Sequence, residues 1–231
     1  SMGVGALRDN VAGDGSVAIG YQAMMYANNS SSSFDTENTA VGYEALRGSS
    51  TPSNNTGAGN TAFGSSALKS NSLGYRNVAV GNNTLYDNTS GNENTVVGSN
   101  ALETNTTGNY NIALGFDALN QNTLGDNNIA IGLRALYLTS DKDNNLALGN
   151  YTLMNTANGT QNVAIGNLSL KEIIRGDQNT AIGMSSLNSI TEGDGNTALG
   201  SSSGSNLTGN SNYNTFIGAL SGVNSSNING S

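Results

Sequence analysis

The sequence predicts an all-β protein, a parallel β-solenoid (β-roll) of about 12–13 coils with a 17-residue repeat. Three observations predict it. First, one nine-residue phrase recurs: "NTAVGYEAL" at 38–46, "NTAFGSSAL" at 60–68, "NVAVGNNTL" at 77–85, "NTVVGSNAL" at 94–102, "NIALGFDAL" at 111–119 and "NIAIGLRAL" at 128–136. Second, its glycine keeps a fixed step: every interval from Gly64 to Gly200 is 17 residues, as is Gly3 to Gly20. The intervals Gly20–Gly42 and Gly42–Gly64 are 22, and Gly200–Gly218 is 18. Third, the columns around the glycine keep their chemistry. With that glycine as position 0, position −1 is apolar from Ile19 to Ile217, and position −2 is Ala except at Val96 and Phe216. Position −4 is Asn38, Asn60, Asn77, Asn94, Asn111, Asn128, Asn145, Asn162, Asn179, Asn196 and Asn214, with Ser16 the exception. Position +3 is Ala, Thr or Ser, and +4 is Leu or Met until Gly204 and Gly222.

Each part of one coil has a physical reason. Positions −4 to −1 alternate small with β-branched or apolar residues and form a short strand. The glycine ends the strand and permits a turn. The Ala-Leu segment begins a second short element, either a strand or one helical turn; so few residues carry no decisive period. Segments such as "NTTGNYN" (105–111) then turn the chain back, using Asn and Gly in left-handed positions. Coils stack at strand spacing, about 4.8 Å, so thirteen make a rod roughly 60 Å long. The Asn column reads as a structural ladder, identical amides stacked and hydrogen-bonded to one another and to turn backbone.

Adjacent strand residues face opposite ways, and −1 and −2 are both apolar. The sequence reading places the large −1 column in the core. The Ala column then faces outward, where a long apolar stripe asks to be covered by another chain. A 17-residue coil also has a thin interior, so burial against partners adds stability. A parallel homo-oligomer with closed cyclic symmetry is expected.

Composition narrows the function. Leu, Ile, Val and Phe make up only about a fifth of the 231 residues, while charged residues are 10%. The net charge of −8, with eight scattered basic residues, argues against nucleic acid as a partner. There is no Cys and no His, which removes thiolate metal sites and the usual general base. No apolar run is long enough to span a bilayer, so no membrane insertion by this segment is expected. Ser1-Met2 reads as an expression scar, 3–222 as a single repeat domain, and 223–231 as a polar tail or junction to a following module.

The motif "SVAIG" at 16–20, with "NVAIG" at 162–166 and "NTAIG" at 179–183, resembles the head repeats of trimeric autotransporter adhesins, the YadA-like class. The longer form beginning "NTAVGYEAL" resembles repeats of trimeric bacteriophage tail fibres and related bacterial fibres. The resemblance covers about residues 3–222. Adhesin head coils are usually shorter than this repeat, which favours the fibre variant. The resemblance implies a parallel homotrimer of left-handed β-rolls, extracellular, at a cell surface or on a virion fibre. It carries over no catalytic residue and no cofactor.

Recognition is sought where the period breaks. Both 22-residue coils carry five extra residues in the same part of the coil, at about 28–37 and 49–58. Tyr21 and Tyr43 at +1, Phe34 in the first insertion and Pro52 in the second form the candidate recognition surface, since loops on rigid scaffolds often carry binding. "DKDNN" at 141–145 opens like a calcium loop but lacks its glycine and closing Glu, and reads as a variant turn; no metal site is expected. Sequons such as Asn105-Thr106-Thr107 follow from composition.

The leading expectation is a non-enzymatic segment of an extracellular trimeric fibre, spacing or presenting an adhesive surface to a cell-surface glycan or protein receptor. The alternative is a ligand-binding solenoid, glycan- or ice-binding. An ice-binding face needs an unbroken Thr array, and the −3 column is interrupted at Val78, Ile112, Ile129, Leu146 and Val163. A polysaccharide-degrading enzyme needs a persistent carboxylate cluster that the sequence does not single out.

Overall fold

The structure, a computed structural model, describes residues 2–9, 13–27, 34–51 and 54–223. Its centre is one parallel sheet of twelve three-residue strands, from Val17–Ile19 to Thr215–Ile217, ordered as in the chain. Each strand pairs in register with the same phrase one coil on; Val96 lies between Ala79 and Ala113, and Ala113 is paired to Ala130. The ladder extends to Met2, which bridges Ile19. Two short parallel pairs form elsewhere on the coil, Gly13–Asp14 with Phe34–Asp35 and Ile190–Glu192 with Gly209–Asn210. The described residues contain no α-helix.

The glycine at position 0 is required by contact as well as by turning. Gly64 has φ +137°, and a Cβ there would drive into the carbonyl oxygen of Gly81 in the next coil. Stacked glycines thus let the coils close to strand spacing at this corner.

The assignment of the two apolar strand columns is reversed from the sequence reading. The small −2 column points into the coil: Ala62 is fully buried, whereas its neighbour Phe63 is 56% exposed. The same holds for buried Ala198 beside exposed Leu199. The reason is volume. Leu at +4 fills the interior, with Leu68, Leu85, Leu102, Leu119, Leu136, Leu153, Leu170 and Leu187 all fully buried. A coil this thin holds one large row, so the row opposite must be small.

The +1 to +6 segment is neither strand nor helical turn. It is a turn in which the residues at +2 and +4 are left-handed, as at Ser66 (φ 58°) and Leu68 (φ 52°). Each such non-glycine residue costs about 1–2 kcal/mol. The cost is offset by what the alternation allows. Ser66 donates its N–H back to Tyr43 O at 2.7 Å, while Leu68 donates forward to Thr84 O at 3.0 Å. Backbone groups outside the sheet therefore still bond to both neighbouring coils. The same twist turns Ala67 and Leu68, adjacent in sequence, both inward.

The end of the Leu column has a steric cause. Phe216 occupies the −2 position and packs on the core. A Cβ on Gly204 would stand 2.8 Å from both Phe216 Cδ2 and Leu187 Cδ2, and a Cβ on Gly222 would strike the same ring. The −2 and +4 columns have exchanged volume, one Phe for two Leu.

The −4 Asn ladder forms inside the coil. Asn162 shows its bonding: its Nδ2 donates to Gly176 O at 2.8 Å, and its Oδ1 accepts the backbone N–H of Asn179 at 3.0 Å. At the N-terminal end, Ser16 substitutes its Oγ as acceptor for the Asn38 N–H at 3.2 Å. A second ladder, at +7, was not anticipated. Asn71, Asn88, Asn105 and Asn122 are buried and linked Nδ2 to Oδ1 at 2.7, 2.7 and 3.2 Å. It stops where Thr139 succeeds Asn122, and Asn122 Oδ1 is left without a hydrogen-bond partner. Asn105, the sequon residue, is therefore enclosed in the core.

Candidate functional site

Because −2 points inward, −3 and −1 both point outward along the length of the sheet. The −1 column is apolar in every coil, from Met2 and Ile19 to Leu199 and Ile217. Many of these side chains are substantially exposed, among them Ile19, Phe63, Val97, Leu148, Leu199 and Ile217. In four central coils the −3 column is aliphatic too, giving the pairs Ile112/Leu114, Ile129/Ile131, Leu146/Leu148 and Val163/Ile165. A contiguous apolar face of this length exceeds what isolated soluble chains usually expose.

The predicted recognition residues separate into two places. Tyr21 and Tyr43 lie on each other, ring centroids 5.3 Å apart and planes 10° from parallel, each about half exposed. One coil spacing between two +1 residues produces such a stack directly. The second insertion reaches Tyr26 instead. Asn55 closes that loop by accepting the Ser49 N–H at 2.9 Å and donating to Ser49 O at 2.9 Å, and it also bonds to Tyr26 O. A small cavity of about 20 Å³, room for a single water, lies beneath, lined by Met24, Tyr26, Leu46 and the amides of Asn38, Asn55 and Asn71. Phe34 lies on a short strand paired to Gly13. Pro52 lies outside the described residues.

Tyr26 also anchors a cation–aromatic pile that sequence reasoning missed. Arg8 and Arg47 lie over its ring at 5.5 and 5.9 Å, and Lys69 lies over Tyr86 at 5.0 Å. Glu44 bridges Arg47 at 2.9 Å and Lys69 at 2.8 Å. Burial pushes the Glu44 carboxyl up, but hydrogen bonds and charge from Lys69 and Arg47 outweigh it and hold the group below its ordinary value. Hydrogen bonds to Glu44 and Tyr86 raise Lys69 in turn. The signal was present as basic residues at +5 in Arg8, Arg47 and Lys69, but it runs across coils and not along the chain.

No family model, curated protein or solved structure matches the chain. Among the described residues no group of three or more acidic side chains is placed to hold a metal ion. In the 141–145 turn, Asp143 accepts the Asp126 N–H at 2.7 Å and Asn145 serves the amide ladder. No described helix is long and apolar enough to cross a membrane.

Proposed function

We propose that this chain is a non-enzymatic segment of an extracellular trimeric fibre, a rod that spaces or presents a surface for recognition of a cell or host. The observation that carries this reading is the unbroken, outward-facing apolar −1 column, flanked in the central coils by aliphatic −3 residues. Covering such a face with like chains removes it from water at about 25 cal/mol per Å². Identical coils on each chain let every level meet its own equivalent, as a parallel cyclic assembly requires. Three chains is the number implied by the resemblance of the repeat to adhesin heads and tail fibres. The insertions of the two 22-residue coils, with the Tyr21–Tyr43 stack on the same coils, are the proposed surface for a glycan or protein receptor.

The test is solution mass. Light scattering or sedimentation is expected to give three times the 23.5 kDa of one chain. Ile131→Asp, in the middle of the stripe, is expected to release monomers that keep their β signal in circular dichroism. A monodisperse wild-type monomer would overturn the reading.

A further inference from the structure

The −5 column points outward at the corner before the Asn ladder, and most coils fill it with a long or polar side chain: Glu37, Arg76, Glu93, Tyr110, Asn127, Asn144, all left-handed. One coil in that run leaves it empty. Between Glu37 and Arg76 the −6 and −5 residues are Ala58 and Gly59. The result is an open cleft of about 470 Å³, lined by Glu37, Ala58, Gly59, Tyr75 and Arg76. That volume falls within the range of ligand sites. Glu37 and Arg76 stand two coil spacings apart along the backbone, about 9.6 Å.

We infer that this cleft binds a single neutral pyranose unit of a glycan. The inference deepens the recognition reading above and rests on it. On the floor, Gly59 donates its N–H to Thr36 O at 2.7 Å, and Ala58 O accepts the Arg76 N–H at 2.9 Å. Selectivity is assigned to the walls. Glu37 presents a carboxylate, which accepts two O–H groups from vicinal hydroxyls. Arg76, whose side chain is 72% exposed, spends one nitrogen on Glu93 Oε1 at 3.3 Å and keeps other N–H donors for sugar oxygens. Its guanidinium is held over the Tyr75 ring at 5.7 Å, which orients it. Ala58 and the Tyr75 ring supply the apolar contact that the C–H face of a sugar needs. Glu37 on one wall, and Arg76 with its partner Glu93 on the other, make two carboxylates to one guanidinium, so an acidic sugar is disfavoured and a neutral one is accepted. Glu37 and Ala58 are also the closing residues of the two insertions, which places the cleft beside them.

The experiment titrates the protein with mannotriose, galactotriose and maltotriose, reading amide NMR shifts at Gly59, Tyr75 and Arg76. Gly59→Gln refills the cleft as the neighbouring coils do. Gly59 has φ +68°, close to its non-glycine equivalents, and a Cβ there meets the flexible Arg76 Cγ at 3.4 Å, so the fold is kept. Arg76→Met removes the donors from an exposed side chain. Saturable binding to at least one sugar, weakened tenfold or more by both substitutions, is expected. No binding tighter than about 1 mM to any of the three, or an unchanged Kd in both variants, overturns the inference. Mass measured on the same samples keeps the two readings apart: a monomer that binds sugar at these residues overturns the fibre and upholds the cleft.

Discussion

Removing one rung of the −4 ladder should cost different amounts at different heights of the rod. Asn162→Ala leaves Gly176 O without its Nδ2 donor and the Asn179 N–H without its Oδ1 acceptor. Both groups lie in the dry interior, where the +7 residue is Ile173. Two buried orphans at roughly 1–3 kcal/mol each give a loss of about 4 kcal/mol. Asn111→Ala also orphans a backbone donor, the N–H of Asn128. But Gly125 O keeps a second donor, Asn122 Nδ2 at 3.0 Å, from the other ladder. Its expected loss is about 2 kcal/mol. Urea unfolding followed by circular dichroism measures the difference, and hydrogen exchange at the Asn179 amide localises it. Equal losses at the two sites, or a loss under about 1 kcal/mol for Asn162→Ala, would refute the ladder argument. Asn162→Asp adds a sign. A carboxylate there faces the Gly176 carbonyl, so burial and repulsion raise its folded pKa above the unfolded value. The penalty is full at neutral pH and eases as pH falls through that raised pKa, because the protonated acid can donate.

Three further outcomes follow from other contacts. Gly204→Leu should destabilise by about 1–3 kcal/mol through its clash with Phe216, and adding Phe216→Ala should restore much of the loss, since the pair then matches the other coils; additive losses in the double mutant would contradict the volume exchange. Glu44→Gln should cost about 1–3 kcal/mol at pH 7, since the carboxylate is largely enclosed and bonded to two cations. With the Glu44 pKa depressed in the folded state, that stability is present above the unfolded carboxyl pKa and fades as pH falls through the folded one, so the wild-type and Gln variants should converge in acid. Trimming both insertions to the 17-residue form should leave circular dichroism and the number of chains per particle unchanged and reduce adhesion to target cells; full adhesion would remove the insertions from the recognition surface.

The repeat made much of this legible before any coordinates. A fixed interval with an invariant glycine can stack only one way, so the parallel register of Ala113 on Ala130 and the Asn162–Asn179 rung were both implied by column position. The second ladder was equally regular over Asn71, Asn88, Asn105 and Asn122, but it spans only four coils and hides among the abundant Asn of the turns. The cleft could not be read along the chain. Ala58-Gly59 looks like ordinary loop sequence until the coils above and below place Glu37 and Arg76 around it.

By itself the sequence determined the period, the strand positions and the amide ladder, because those depend on spacing, which survives in one dimension. Which apolar column lies inside did not follow. Alternation states that −1 and −2 oppose each other without naming the core. That was decided across the coil, where left-handed backbone at +2 and +4 turns Leu68 and its equivalents inward and leaves room opposite only for alanine. The larger side chains were thereby displaced to the outer face of the sheet, and the face available to other chains is the larger of the two.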